Sequence, residues 1–261
     1  MGEKVTWKKE EAVAVVTINN PPANALSSQV GNELAECFSQ IEEDESIRAV
    51  VLTGEGEKFF MAGADISGFP NMLGSDPGVV ARDTIKGHRV FNYIDDFPRP
   101  VIAAVEGMAL GGGCELMLAC DLCIASENAQ FGLPEINLGL FPGGGGTQRL
   151  PRRIGEAKAK ELMFLGKHIE ANKAYEIGLI NHVVSGGSAL EEGKKMAGQI
   201  AGRPAVAVNL IKQCVERGLA VPLEEGLQIE ADLFERVFQT EDVKEGVNAF
   251  LEKRKASFQH R

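Results

Sequence analysis

The chain has 261 residues, 44% of them hydrophobic, enough to bury a sizeable core as one large domain or as a domain carrying a helical appendage. Its formal net charge of −10 excludes a general nucleic-acid surface, which needs excess Lys and Arg to displace counterions from phosphates, so an anionic ligand must meet local basic groups. Five scattered cysteines read as reduced thiols, no apolar run approaches membrane-spanning length, and the opening MGEKVTWKKEE has no secretory core or Arg/Ser-rich presequence; a cytoplasmic protein without a membrane partner is expected.

The β-branched runs AVAVVTINN (12–20) and RAVVLTG (48–54), each closed by turn residues, predict strands. Between them Val30, Leu34, Cys37, Phe38 and Ile41 recur at helical spacing behind Ser27 and Ser28, which suit a helix start. Val80, Ile85, Val90 and Ile94 predict a second helix, RPVIAAVEG a strand, GGCELMLAC a third helix and DLCIAS another strand. This alternation predicts a layered α/β domain. Beyond INHVVSGG the pattern turns helical, with candidates near 189–201, 204–217, 223–238 and 242–254, dividing the chain into an α/β core (1–187) and a helical C-terminal region (188–261). No low-complexity linker and no repeat is legible.

The stretch ALGGGCELMLACD (109–121) sets three glycines before an apolar helix that carries one carboxylate, Glu115. Glycines between strand and helix let a ligand approach the backbone and leave the first helical amides unpaired, with the positive end of the helix dipole behind them. A developing oxyanion suits that place. The plainer readings are tight helix–strand packing for the glycines and a capping role in its own first turn for Glu115. A second stretch, FGLPEINLGLFPGGGGTQRL (131–150), places Glu135 in apolar company before another glycine run. Two carboxylates in such surroundings can hold different protonation states, one as base and one as acid.

Other motifs carry less. Cys120 and Cys123 form a CxxC without a second ligand pair, which reads as buried thiols rather than a metal site. The four histidines are scattered, no GxSxG elbow occurs, and GGGGTQ fits neither GxGxxG nor a Walker loop. EEDES (42–46) reads as a solvated helix end and EKRK (252–255) as a polar helix face.

Taken together, PPANAL (21–26), FFMAGADI (59–66), AVEGMALGGGCELMLACD (104–121) and AQFGLPEINLGLFPGGGGTQRLPR (129–152) make the chain resemble the enoyl-CoA hydratase (crotonase) family over essentially its whole length. The resemblance implies an α/β spiral of strand–strand–helix repeats followed by C-terminal helices that pack a homotrimer or a dimer of trimers. It implies an oxyanion hole from the amides of Ala64 and Gly112, catalytic carboxylates at Glu115 and Glu135, and a water-positioning backbone at Gly143. Coenzyme A would lie along Ala62, Ala64, Asp65, Ile66 and Ser67, flanked by Ala23 and Ala25, with Phe250 and Lys253 forming an adenine and phosphate pocket across a subunit boundary. The implied reaction is syn hydration of a trans-2-enoyl-CoA, in fatty-acid β-oxidation or related acyl-CoA breakdown. Coenzyme A is then part of the substrate, and acid–base chemistry needs neither a metal nor a redox cofactor. Glu115 is favoured as the water-activating base and Glu135 as the proton donor, although a shared water makes the labels partly interchangeable. An isomerase or other acyl-CoA enzyme of this fold, or a binding protein without catalysis, are the alternatives, and the glutamate pair separates them.

Overall fold

In the computed structural model, whose described residues are 2–76 and 78–261, β1 (Val5–Glu10), which the sequence reading does not contain, pairs antiparallel with β2 (Val13–Ile18) from the β-branched run at 12–20. Next comes α1 (Ser28–Glu43), capped by the Ser27 hydroxyl accepting from the Val30 amide at 3.2 Å. Its buried face is Val30, Leu34, Cys37, Phe38 and Ile41, the five positions expected from spacing.

Three strand pairs then follow, β3 (Ala49–Gly54) with β4 (Phe59–Ala62), β5 (Val101–Val105) with β6 (Met108–Leu110), and β7 (Leu122–Ser126) with β8 (Gln130–Gly132). The first pair is separated from the second by a 3-10 segment (Ile66–Met72) and α2 (Val79–Asp95), and the second from the third by α3 (Gly112–Leu118). The first strand of each pair joins a large sheet and the second a small one, so the chain winds as a spiral, as the resemblance implies. After a 3-10 turn (Pro134–Leu138) come α4 (Gly146–Ile154), α5 (Glu156–Leu165), β9 (Ile169–Glu170), α6 (Ala171–Glu176) and β10 (His182–Val184). The large sheet is ordered β1-β2-β3-β5-β7-β10 and the small one β4-β6-β8-β9. Four helices close the chain: α7 (Ala189–Ala201), α8 (Ala205–Gly218), α9 (Leu223–Val237) and α10 (Glu241–Leu251).

Both faces of the large sheet are covered, as parallel strands require. One face, including Val50, Leu52, Ala103 and Val105, joins the main core with Leu34, Phe38 and Leu116. The other, including Val51, Ile102, Ala104 and Ile124, packs under α7 through Ala189, Ala197 and Ala201. α8 and α9 pack chiefly on each other, and Lys212 of α8 reaches the core through an ion pair with Asp121 at 3.0 Å. Among the described residues no helix is long and apolar enough to cross a membrane.

The structure differs from the sequence expectation in several places, and β1, α4, α5, β9, α6 and β10 are elements that the sequence reading does not contain. β4, β6 and β8 went unread because runs of three or four residues such as MAL and QFG carry no legible period. The expected apolar face of α2 is buried only toward its C-terminal end, at Phe91 and Ile94, whereas Val80 and Ile85 are exposed. The packing partner explains this: α2 meets α1 there through Tyr93, beside the edge-to-face pair Phe38 and Phe97 with centroids 5.0 Å apart. Finally, α10 ends at Leu251, so EKRK follows the helix instead of lying on it, with Lys253 at φ 54°.

In the small sheet Ala62 pairs with Leu110, and Leu110 with Gly132, so the ends of β4, β6 and β8 lie side by side. The close approach depends on Gly113, where an added Cβ would collide with the Met61 carbonyl oxygen of β4. Gly113→Ala is therefore expected to cost about 1–3 kcal/mol of folding stability through overpacking, measured by urea denaturation. An unchanged midpoint would show that β4 and α3 separate freely.

Candidate active site

Immediately after those three aligned strand ends come Gly63 and Ala64, Gly111 and Gly112, and Leu133, Pro134 and Glu135. The register of a three-residue sheet thus gathers groups about seventy positions apart in sequence onto one edge, where open α/β sheets place their ligands.

The three glycines divide the tasks that the sequence left open. Gly113 serves packing, as above. Gly111 sits at φ 52°, and an added Cβ there would lie 3.0 Å from Oε1 of Glu135. Gly112, the first residue of α3, lies so that an added Cβ would come 3.4 Å from the Ala64 amide nitrogen. The Ala64 amide is free because its neighbours carry the local pairing: Leu26 donates to the Gly63 carbonyl at 2.9 Å and Asp65 donates to the Leu26 carbonyl at 2.8 Å. Gly112 is free because it opens a helix. Neither amide has a protein acceptor among the described residues, which leaves two neighbouring donors for an oxyanion.

Glu115 is buried, with 4% of its surface exposed. Its carboxylate does not cap its own helix, contrary to the plainer reading of the sequence. Oε1 instead accepts from the amides of Gly144 at 2.7 Å and Gly146 at 2.8 Å, at the N-terminus of α4. Burial pushes the Glu115 carboxyl above the usual range, while the Gly146 and Gly144 amides, then His88 and Arg149, pull it back. No protein donor among the described residues reaches Oε2.

Glu135 is raised as well. Burial, reinforced by the charge of Glu115, pushes it up to about 7 against a bond from its own backbone. Its Oε2 is buried without a hydrogen-bond partner among the described residues. The amides of Gly144 and Gly146 thus favour the charged form of Glu115 against its burial, while Glu135 has no such pair of donors, a difference of the kind that separates a base from a proton donor.

Gly143 donates to no protein acceptor among the described residues, and an added Cβ there would meet nothing within 4 Å. Its carbonyl accepts from Nε2 of His88 at 2.6 Å. Arg149 of α4 donates to Asp95 and Asn92 of α2, each at 2.8 Å. His88 and Arg149 were missed in the sequence. The available signal was a polar stripe, His88, Asn92 and Asp95, at one-turn intervals on α2.

The loop expected beside coenzyme A runs along this edge. The buried Asn24 side chain donates to the Phe59 carbonyl at 2.9 Å and accepts from the Asn20 amide at 3.0 Å, which brings the Ala23 carbonyl to the Ala62 amide at 3.0 Å. The Ala25 carbonyl is held by Asn20 Nδ2 at 2.8 Å. Asp65 caps the 3-10 segment by accepting from the Ser67 amide at 3.0 Å, and Ile66 beside it is exposed. Phe250 and Lys253 are not brought to this edge within one protomer; they lie at the end of α10, which packs extensively against none of its elements. The cysteines Cys37, Cys114, Cys120 and Cys123 are buried free thiols, and burial pushes Cys120 and Cys123 far above the normal thiol range.

Comparison with known proteins places the chain in a family and a fold. Residues 8–261 match the family model described as enoyl-CoA hydratase/isomerase. A crotonyl-CoA hydratase of Syntrophomonas wolfei is 44% identical over 98% of both chains. A short-chain-enoyl-CoA hydratase of Clostridium acetobutylicum is 46% identical over 96% of this chain and 95% of that one. The crystal structure of enoyl-CoA hydratase from Bacillus anthracis superposes with a TM-score of 0.91 at 40% identity, covering 99% of this chain and 100% of that one.

The two glycines that precede α4 should respond differently to a methyl group. At Gly144 an added Cβ would lie 2.5 Å from Oε2 of Glu115 and 2.9 Å from the Phe91 ring, whereas at Gly143 it meets open space. Gly144→Ala is expected to lower the melting temperature by several degrees, an overpacking cost of about 1–3 kcal/mol, and Gly143→Ala to leave it nearly unchanged. Equal melting temperatures would contradict the placement of the Glu115 carboxylate.

Proposed function

Because this chain belongs to the enoyl-CoA hydratase/isomerase family, we propose that it adds water syn across the double bond of a trans-2-enoyl-CoA, giving the 3-hydroxyacyl-CoA. The observation that carries the reading is the pairing of two amides without a protein acceptor among the described residues, at Ala64 and Gly112, with two half-buried to buried carboxyls, of which Glu115 alone is met by two α4 amides. As the water oxygen bonds to C3, the π electrons move toward the thioester oxygen, whose growing negative charge the two amides stabilise. Glu115 takes a proton from the water, the Gly143 amide orients that water, and Glu135 delivers a proton to C2. The sum is one water across one double bond, with no redox change. The relatives named for crotonyl-CoA and short-chain enoyl-CoA make trans-2-butenoyl-CoA the first substrate to assay.

We place coenzyme A along Ala62, Ala64, Asp65, Ile66 and Ser67, with Ala23 and Ala25 beside it. The neighbouring protomer contributes Phe250 and Lys253. The region 188–261 is then the oligomerisation region of a homotrimer or a dimer of trimers. Its support is the apolar surface of α8, α9 and α10, where Ile211, Phe234, Phe238 and Phe250 are all exposed and α8 and α9 flank a groove of about 720 Å³. Light scattering is expected to give three or six times the protomer mass; a monodisperse monomer would contradict the shared pocket.

Glu115→Gln and Glu135→Gln keep shape and remove one proton-transfer group each. Either is expected to cut hydration of trans-2-butenoyl-CoA by about a hundred- to ten-thousand-fold, with the double variant scarcely worse than the poorer single one. The loss of conjugated thioester absorbance reports the rate. An isomerase would keep most activity toward a 3-enoyl-CoA after one of these changes, and a binding protein would leave the absorbance constant with no substitution at all. Since Glu135 must carry its proton, kcat/KM should fall as pH rises through about 7, the value to which burial and Glu115 push this carboxyl.

A further inference from the structure

The base is held by a loop that is itself held. Gly143 and Gly144 are joined by a trans peptide, whose carbonyl and N–H point in opposite directions. On one side the Gly143 carbonyl meets His88 Nε2 at 2.6 Å, and on the other the Gly144 N–H meets Glu115 Oε1 at 2.7 Å. A carbonyl only accepts, so Nε2 of His88 carries the hydrogen. We propose that His88 is a positioning residue for the base: through one peptide group it orients and polarises the Gly144 N–H that holds Glu115 as a carboxylate.

Hydrogen bonds in a chain reinforce one another, because a peptide whose carbonyl is engaged becomes a better donor at its N–H. The arrangement is built, not incidental. His88 is at the centre of α2, one turn before Asn92 and two before Asp95, and those two side chains grip Arg149 on α4, the helix that the glycine loop opens. The loop is therefore clamped from α2 at two points, and of these His88 is the one that bonds the Gly143–Gly144 peptide; the Gly145–Gly146 peptide, whose N–H also reaches Glu115, has its carbonyl engaged within α4 by the Gln148 and Arg149 amides. The other charged groups facing Glu115 are Arg149, itself paired with Asp95, and Glu135 from the 3-10 turn. Neither is altered by a change at position 88. The role as catalytic base rests on the hydratase reading; the hydrogen-bond relay does not.

The full-length protein labelled with 13C at its glutamate carboxyls separates the two. The Glu115 resonance is assigned by its disappearance in Glu115→Gln, and its titration is followed in wild type, His88→Leu, His88→Asn and His88→Gln. Without the relay the carboxylate is less stabilised, so in His88→Leu its midpoint should move to higher pH by about three- to tenfold in proton concentration, the worth of one hydrogen bond. His88→Asn, polar but too short to reach, should match Leu, and His88→Gln, whose amide N–H reaches nearly as far, should restore most of the shift. In hydration of trans-2-butenoyl-CoA the Leu and Asn variants should lose about three- to tenfold in kcat with KM changed less than about twofold, and the acidic limb of the kcat profile should move up in pH. A lowered kcat with an unmoved Glu115 midpoint would reduce His88 to a staple of the loop and overturn the proposal. So would a well-folded Leu variant with unchanged midpoint and rate. If wild type hydrates no 2-enoyl-CoA while the midpoint still follows residue 88, the hydratase reading fails and the relay stands.

Discussion

Two backbone amides, from Gly144 and Gly146, converge on one oxygen of Glu115, which has 4% of its surface exposed, and they favour its charged form against the burial that raises it. An unpaired charge in that position would neutralise itself by taking up a proton. The start of α4 provides what water otherwise would, with the positive end of the helix dipole behind it. Glu115 thus joins α3 to α4, and the glycines of the second run are there because a side chain at Gly144 or Gly146 would strike the carboxylate. Burial pushes the neighbouring Glu135 up to about 7, and the charge of Glu115 adds to that shift. The two glutamates therefore differ in their donors: two amides of α4 meet Glu115, while Oε2 of Glu135 has no partner among the described residues.

The spiral is what brings these groups together. Each turn sends one strand to the large sheet, where bulk and both-sided burial give rigidity, and one to the small sheet, where register counts. Ala62, Leu110 and Gly132 are partners across β4, β6 and β8, so the residues just beyond them become neighbours whatever their distance in sequence. A shift of one residue in that register would turn the Ala64 amide away from Gly112 and carry Glu135 off the start of α3. Gly113 against Met61 and Gly111 against Glu135 hold the layers close enough for the arrangement to exist.

Much of this was legible in the amino-acid sequence, for physical reasons. α1 was readable because five apolar residues at helical spacing follow a serine cap, and β2, β3, β5 and β7 because buried parallel strands are near-continuous runs of Val, Ile and Ala. Glu115 and Glu135 stood out as charges in apolar stretches beside glycine runs. The small sheet stayed hidden, because three-residue strands have no period and their pairing is entirely tertiary. So did the partner of Glu115: its place in a first turn suggested a cap on α3, and only the fold shows that it caps α4. His88 looked like one of four scattered histidines until α2 was laid against the glycine loop.

The proposed reaction depends above all on where the thioester sits. A crystal structure of the protein with an unreactive acyl-CoA analogue bound tests that directly. The thioester oxygen is expected within hydrogen-bonding distance of both the Ala64 and Gly112 amides, with the Glu115 and Glu135 carboxyls on the same side of the acyl chain, facing C3 and C2. A thioester oxygen that meets neither amide, or an acyl chain that leaves the two glutamates on opposite faces, would contradict it.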